Sequence, residues 1–498
     1  MIAGGDANCR STNYATDVTT FQGYGTTTHA TLSSPNAELD ALWEHQLMKE
    51  QYRAHFQMSS NGYQYNTAGS YTYFSAFGRD GYGGALALAQ VAGGAALTRD
   101  EYLLFISRQY ANKSQSHEII DSFQTTGFRQ DAGNNGAPGD QEMFEILKLY
   151  QYYIGSQDAT FLTAHIADVN AIAAYLKDWY DNQPSGKSSD GLFCGHGQST
   201  YLDSGGNLLT GTPTYLVDPV MNSILIHALR AVIELNTVAG NTATAATYTT
   251  WRNTLVAAMP LLWSSVNNWL AFNKNQAGTE TIANPHLMKL DALVFDALQD
   301  TAKQQAMMAK IAGPASKYWN GSTGICGFTM FPSVDPRYSG LGIGWYGPPW
   351  HIGDYKAFGA IFRYGAPEQA QWAWERLKQH TQRVMHVNQY APGEYYSSVG
   401  QFEFSAGSMT QMITRDLFGL DPHASYFTCT PNIYKLNDTA GWNLSNYRMG
   451  GSTWTVTYSG KGAVQTVKVD GVTQTGNIAY PTAGSHTLAI TATGRTVV

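Results

Sequence analysis

Three carboxylates set beside aromatic residues and glycines are the groups in this 498-residue chain most suited to chemistry. Asp203 follows Tyr201 and precedes a glycine pair in SSDGLFCGHGQSTYLDSGGN. A carboxyl packed against aromatic rings has its charged form desolvated and its pKa raised. A general acid that protonates an acetal oxygen needs that property. Glu394 lies between Gly393 and Tyr395 in NQYAPGEYYSSVGQFEFSAG, and Glu403 is nearer the helix that follows. Inverting displacement at an acetal carbon needs a second carboxylate about 6.5–9.5 Å from the acid, leaving room for a water. Asp203 with Glu394, and Glu403 in reserve, is the predicted pair. For Asp203, the competing reading is a turn-stabilising or calcium-binding aspartate.

Other residues have the chemistry of a grip. Arg79 and Asp80 end YTYFSAFGRD and open an otherwise apolar segment, where a charged pair is costly to bury unless it is used. Together they can bind vicinal hydroxyls. The plainer alternative is an aspartate stabilised by the dipole of a first helical turn. Asp121 and Gln124 are further candidate contacts, whereas Asp140 reads most simply as an N-cap. Tyr201, Tyr395 and the Trp345, Trp350 and His351 of GWYGPPWHIGDYKAF offer flat rings and a polar edge. His196 reads as a structural hydrogen-bonder.

These groups fall on long connections between helices. Apolar spacing and end signals predict helices near 35–55, 79–94, from a capping box at Thr98 and Glu101 onward, 139–154, 157–181, 216–239, 243–266, 287–298, 300–312, 351–364, 366–385 and 406–418. Asp218-Pro219 and Pro367 mark two of the starts. Connections of a few residues alternate with connections of roughly 20 or more, beyond the usual loop length. Every long one enters the second, less charged helix of a hairpin. The predicted fold is mainly α: an (α/α)6 barrel of six helical hairpins over 34–425, its long loops at one rim. An irregular helical array is the alternative. Residues 426–498 alternate in the manner of strands, with Asp470-Gly471 as a hairpin turn, and predict a small C-terminal β domain resembling a sandwich. Residues 1–33 are expected to be extended and to pack on the barrel.

Composition narrows the ligand. Charged residues are 13 %, about half the usual share of roughly 25 %, while aromatics reach 13 %. Such a surface suits neutral polar ligands with flat apolar faces, such as sugars. The net charge of −7 gives no basic field for nucleic acid or anionic membrane, and no apolar run is long enough to span one. Four cysteines without CxxC spacing point away from a metal cluster and leave a disulfide or two open. No cofactor and no metal are expected, and a monomer is. The first residues lack the apolar core of a signal peptide, so a secreted or periplasmic location is an expectation from composition alone.

At these residues the chain resembles the six-hairpin glycosidases, which include glucoamylases, trehalases and processing α-glucosidases. YTYFSAFGRD is similar to a glucoamylase-type stretch whose Arg–Asp pair binds the non-reducing sugar, which implies that role for Arg79 and Asp80. STYLDSGGN with TYLVDPVMNSIL resembles the trehalase-type acid segment, which implies Asp203 as the acid. PGEYYSSVG with FSAGSMTQM is similar to the late segment carrying the base, which implies Glu394. Neither the Glu-Ser-Gly-Trp of trehalases nor the Trp-Glu-Glu of glucoamylases is present. VKVDG with GNIAYPTAGSHTLAI resembles the small β domain of cellobiose-phosphorylase-like enzymes.

The expected function is therefore an inverting glycoside hydrolase of an oligo- or polysaccharide, with an α-glucan as one candidate. A disaccharide phosphorylase would use phosphate in place of the activated water and need no base. A polysaccharide lyase favours a basic cleft, which these loops do not supply. A non-catalytic glycan-binding protein would keep the cup without the chemistry.

Overall fold

The computed structural model describes residues 28–52, 56–57, 64–65, 76–106, 122–124, 127–129, 138–196, 215–282, 285–321, 326–330, 332, 351–386 and 403–494. Its helices are α1 (Ala37–Tyr52), α2 (Gly78–Leu88), α3 (Gly94–Ile106), α4 (Gln141–Ser156), α5 (Ala159–Asn182), α6 (Pro219–Val238), α7 (Thr242–Ala258), α8 (Asp291–Val294), α9 (Thr301–Ile311), α10 (His351–Tyr364), α11 (Pro367–His386) and α12 (Glu403–Gln411). A 3-10 turn, Leu287–Leu290, leads into α8, and a π-helical stretch, Met412–Leu417, extends α12.

Local sequence explains the two kinds of helix. In α5, Asp158 caps the start by accepting from the Phe161 N–H at 3.0 Å. Leu162, Val169, Ile172, Leu176 and Trp179 then form one buried stripe, as expected of a helix with one face in water. In α6, Asp218 caps, Pro219 occupies the first turn, and Val220 to Leu229 are buried without a break. Such a helix belongs inside.

The inner helices α2, α4, α6, α8, α10 and α12 pack on one another in sequence, and α12 returns to α2, which closes the ring. Glycine makes the closure possible. A Cβ on Gly407 would lie 2.1 Å from the Gly83 carbonyl oxygen, and one on Gly83 would lie 2.5 Å from Phe404 Cα. The first and last inner helices therefore meet backbone to backbone. Each inner helix begins where a long connection ends, so their N-terminal ends share one rim.

The opposite end is closed by the C-terminal region. The strands are β1 (Thr31–Ser33), β2 (Leu420–Pro422), β3 (Tyr426–Cys429), β4 (Trp442–Met449), β5 (Ser452–Gly460), β6 (Val464–Val469), β7 (Val472–Gln474), β8 (Ile478–Ala479) and β9 (Ser485–Thr493). One sheet has the order β1-β4-β5-β9-β6-β7, and β2-β3-β8 forms another. Only β5 and β9 of the larger sheet run parallel, with Val456 opposite Leu488. Alternate residues Trp454, Val456 and Tyr458 of β5 are buried, and Trp454 meets Phe427 of β3 edge to face. Asp470 and Gly471 both have positive φ (48° and 82°), and Val469 pairs with Val472 across the tight turn they make. Near the N-terminus, β1 joins the edge of this sheet beside β4, while His29 bridges to Val91 of the barrel.

Barrel and strands are tied by a half-buried ionic knot. Glu234 of α6 accepts from Tyr150 Oη at 2.6 Å, lies 2.7 Å from His423 Nδ1 and pairs with Arg230 at 3.0 Å. Arg230 also reaches Asp421 of β2 at 3.3 Å.

Several expectations need correction. The second helix stops at Leu88, and the third starts at Gly94 after Gly93 turns the chain with φ of 83°. Thr98 and Glu101 therefore lie inside α3 and form no capping box. Thr98 Oγ1 bonds back to the Gly94 carbonyl, and Glu101 pairs with buried Lys148 at 2.9 Å. The helix expected over 243–266 ends at Ala258 in a 3-10 turn containing Pro260, which has no N–H to continue an α-helical ladder. The one expected over 287–298 shortens to a 3-10 turn and α8. Among the described residues no helix is long and apolar enough to cross a membrane. Cys194, Cys326 and Cys429 are free thiols, and burial pushes those of Cys194 and Cys429 up to about 12.

Candidate active site

The rim is where charge is buried. Arg79 and Asp80 occupy the first turn of α2 and are only 8 % and 6 % exposed. Arg79 Nε lies 3.9 Å from Asp140 Oδ1, across the seam to α4. Asp140 stands at the N-cap position but makes no side-chain cap, so its expected role is corrected. Its carboxylate instead accepts from Gln141 Nε2 at 2.8 Å and faces the arginine. About two turns deeper, Lys148 bridges Glu101 at 2.9 Å and Glu145 at 2.8 Å. Burial opposes the charge on Lys148, and the two carboxylates outweigh it, so its pKa is raised. Burial lifts Glu145 to about 7 despite the ammonium beside it. There is little room around this group, because a Cβ on Gly81 would strike Glu101 and Lys148.

The same device recurs around the ring. Lys289, in the turn before α8, lies 3.1 Å from Asp218 at the start of α6. Lys356 of α10 lies 2.7 Å from Asp291 of α8, with its ammonium 4.8 Å from the Phe404 ring centre. Burial lowers the pKa of both lysines and raises that of Asp291, each against the pull of its partner. Buried carboxylates along this end outnumber the cations, counting Asp80, Asp140, Glu142, Glu101, Glu145, Asp218, Asp291 and Asp354 against Arg79, Lys148, Lys289 and Lys356. Burial also lifts Asp354, to about 7.

Several predicted residues converge here. Residues 122–123 pair with 76–77, just ahead of Arg79, so the strand ending at Gln124 runs beside the start of α2. Glu403 is the first residue of α12, next to Phe404 and its contact with Gly83. His351 opens α10 and is fully buried, its ring 5.1 Å from that of His380 on the outer helix α11. It lies inside the wall between the inner and outer helices. Asp121, Tyr201, Asp203, Trp345, Trp350, Glu394 and Tyr395 lie outside the described residues, as does the side chain of Gln124. Two cavities lined by described residues lie away from this rim. One of 230 Å³ sits between α2, α4 and the large sheet beside Arg448, and one of 60 Å³ lies at the far end beside Arg230.

Sequence reasoning missed Glu145, Lys148, Lys289, Asp291 and Lys356. A signal was available: each is a charge within the apolar run of an inner helix, as in QEMFEILKLY, HLMKLDALV and HIGDYKAF.

Comparison with known proteins places this geometry. Residues 155–400 match the mannosylglycerate hydrolase MGH1-like glycoside hydrolase domain. The chain has the (α/α)6-barrel fold, and just under half of it is similar to this glycoside hydrolase domain. No curated protein matches the chain in sequence. Among solved structures, a sialidase is similar over 85 % of this chain and 38 % of its own, at 13 % identity and a TM-score of 0.59. The chain thus spans well under half the length of that protein. The GH63 mannosylglycerate hydrolase from Thermus thermophilus, solved with Tris and D-glycerate, aligns over 76 % of this chain and 100 % of that one (12 % identity, TM-score 0.53). A GH78 family rhamnosidase from a Bacillus species aligns over 86 % and 41 % (10 % identity, TM-score 0.51). At these identities the solved structures speak for the fold.

Proposed function

We propose that this glycosidase hydrolyses an oligo- or polysaccharide with inversion, with Asp203 as general acid and Glu394 as general base. Asp203 donates its proton to the glycosidic oxygen as the bond to the anomeric carbon breaks. Glu394 takes a proton from the water that attacks the opposite face, and Glu403 is the reserve base. Arg79 and Asp80 grip hydroxyls of the terminal sugar, while Trp345, Trp350 and the tyrosines at 201 and 395 stack on ring faces. The observation that supports this reading most directly is the match of residues 155–400, which contain both Asp203 and Glu394, to a glycoside hydrolase domain. An α-glucan is the preferred substrate to try first. The low charge and high aromatic content support a secreted or periplasmic location.

A hydrolysis screen over α- and β-linked glycans, with and without phosphate, tests the reading. Release of free sugar without phosphate, lost in Asp203→Asn and in Glu394→Gln, is the expected result. A phosphate requirement with Glu394→Gln still active would replace hydrolysis by phosphorolysis. Glycan binding without turnover would make the chain a binding protein.

A further inference from the structure

We propose that His351, Asp354 and His380 form a binding site for a divalent first-row transition metal, with zinc the best match, clamping α10 to α11. One donor atom from each of the three lies within 4.8 Å of the others, and all three residues are 0 % exposed. His351 and Asp354 are one turn apart on α10, with Nδ1 and Oδ2 separated by 3.4 Å. For zinc bonds of about 2.0–2.1 Å, neighbouring corners of a tetrahedron are about 3.3–3.4 Å apart. That edge is already set.

The third ligand is held ready. His380 Nδ1 lies 2.6 Å from the Cys326 carbonyl oxygen. A carbonyl can only accept, so Nδ1 carries the hydrogen and Nε2 presents a lone pair. Ligating histidines are oriented in this way, by a carbonyl or carboxylate on the other ring nitrogen. Among the described residues, His380 Nε2 and Asp354 Oδ2 are buried without a hydrogen-bond partner. Asp354 Oδ1 is already held by the Phe328 N–H. Buried polar atoms left unsatisfied are costly, and one ion would satisfy both. Two imidazoles and a carboxylate form a borderline donor set that suits zinc and its neighbours better than calcium or magnesium. Cysteine spacing could not have revealed the site, because its ligands come from one helical turn and a distant outer helix. His351 is the first residue of α10, so an ion there would fix the direction in which the chain enters the rim.

The test uses the full chain, stripped with a chelator and then titrated with Zn²⁺ or Co²⁺ by calorimetry and visible absorption. One equivalent of Zn²⁺ should bind, raising the melting midpoint by about 2 °C or more at saturation. Co²⁺ should give the visible bands of a four- or five-coordinate nitrogen–oxygen site. His380→Ala and Asp354→Asn should each lose the stoichiometric binding. Wild-type protein that takes up no Zn²⁺ or Co²⁺ saturably would overturn the proposal, and this arm depends on no variant. Equal uptake by folded His380→Ala protein would overturn it too. Neither result bears on the glycosidase reading, which uses no metal.

Discussion

Lys356 Nζ stands 2.7 Å from Asp291 Oδ1, joining the fifth inner helix to the fourth where both side chains are buried. Lys289 and Asp218 join the fourth to the third in the same way, and Arg79 faces Asp140 across the first seam. Buried ion pairs add little net stability, because desolvation offsets most of their attraction, yet they are costly to break singly. Their placement near the rim suits orientation. They fix the relative height and rotation of neighbouring inner helices, and so the positions of whatever those helices carry at the rim.

Lys356→Met leaves the Asp291 carboxylate buried without its cation. The expected loss is about 3–5 kcal/mol of stability, read as a lower denaturant midpoint. Lys356→Met with Asp291→Leu should recover most of it, since no charge is then stranded. A single variant as stable as wild type would show that Asp291 has other compensation.

Arg79→Lys keeps the charge beside Asp140 but removes the planar fork that can bind two oxygens at once. Loss of a charged hydrogen bond to substrate is worth about 1.5–3 kcal/mol, so kcat/KM should fall about 10- to 150-fold while the melting midpoint changes little. Unchanged kcat/KM would remove Arg79 from the sugar grip.

Gly407→Ala tests barrel closure. The added methyl would sit 2.1 Å from the Gly83 carbonyl, with backbone on both sides and no flexible side chain to yield. The expected cost is about 1–3 kcal/mol or more, seen as a lower melting midpoint. Gly155→Ala, where nothing lies within 4 Å of the new methyl, serves as the helical control. Equal midpoints for the two variants would contradict the close approach of α2 and α12.

The ionic knot at the far end predicts acid sensitivity. Burial would raise the Glu234 pKa, but His423, Arg230 and the Tyr150 hydroxyl outweigh it and hold it at about 2, below the ordinary 4.5. A carboxylate with a depressed folded pKa contributes stability above its unfolded value and loses it as pH falls through the folded one. The midpoint of unfolding should therefore drop between about pH 4.5 and 2, by at most on the order of 3 kcal/mol from this group. Glu234→Gln should flatten that part of the profile, and an equally steep profile in the variant would assign the sensitivity to other groups.

The barrel was legible because its signals are long-range and redundant. Apolar runs such as that of α6 have no polar face to put in water, and the alternation of short and long connections needs no knowledge of packing. Local end signals were weaker guides. Thr98 and Glu101 have the spacing of a capping box, but that is also the spacing of one turn inside a helix, and the demand of buried Lys148 for carboxylates decides between them. Asp140 likewise has the right position for a cap and a stronger claim from Arg79. The cross-helix pairs were not readable, since Asp218 and Lys289 or Asp291 and Lys356 are brought together only by closure of the ring. His351 was read as part of an aromatic loop, and only the arrival of His380 from the outer helix gives its ring a different setting.

The most direct test of the account is the anomeric configuration of the product in the first moments of hydrolysis, followed by proton NMR on a substrate of defined linkage before mutarotation equilibrates it. An acid and a base across the sugar predict that the new reducing end has the configuration opposite to the bond that was cleaved. A product of the same configuration would contradict the account, since it would require a covalent intermediate in place of the water that Glu394 is assigned to activate.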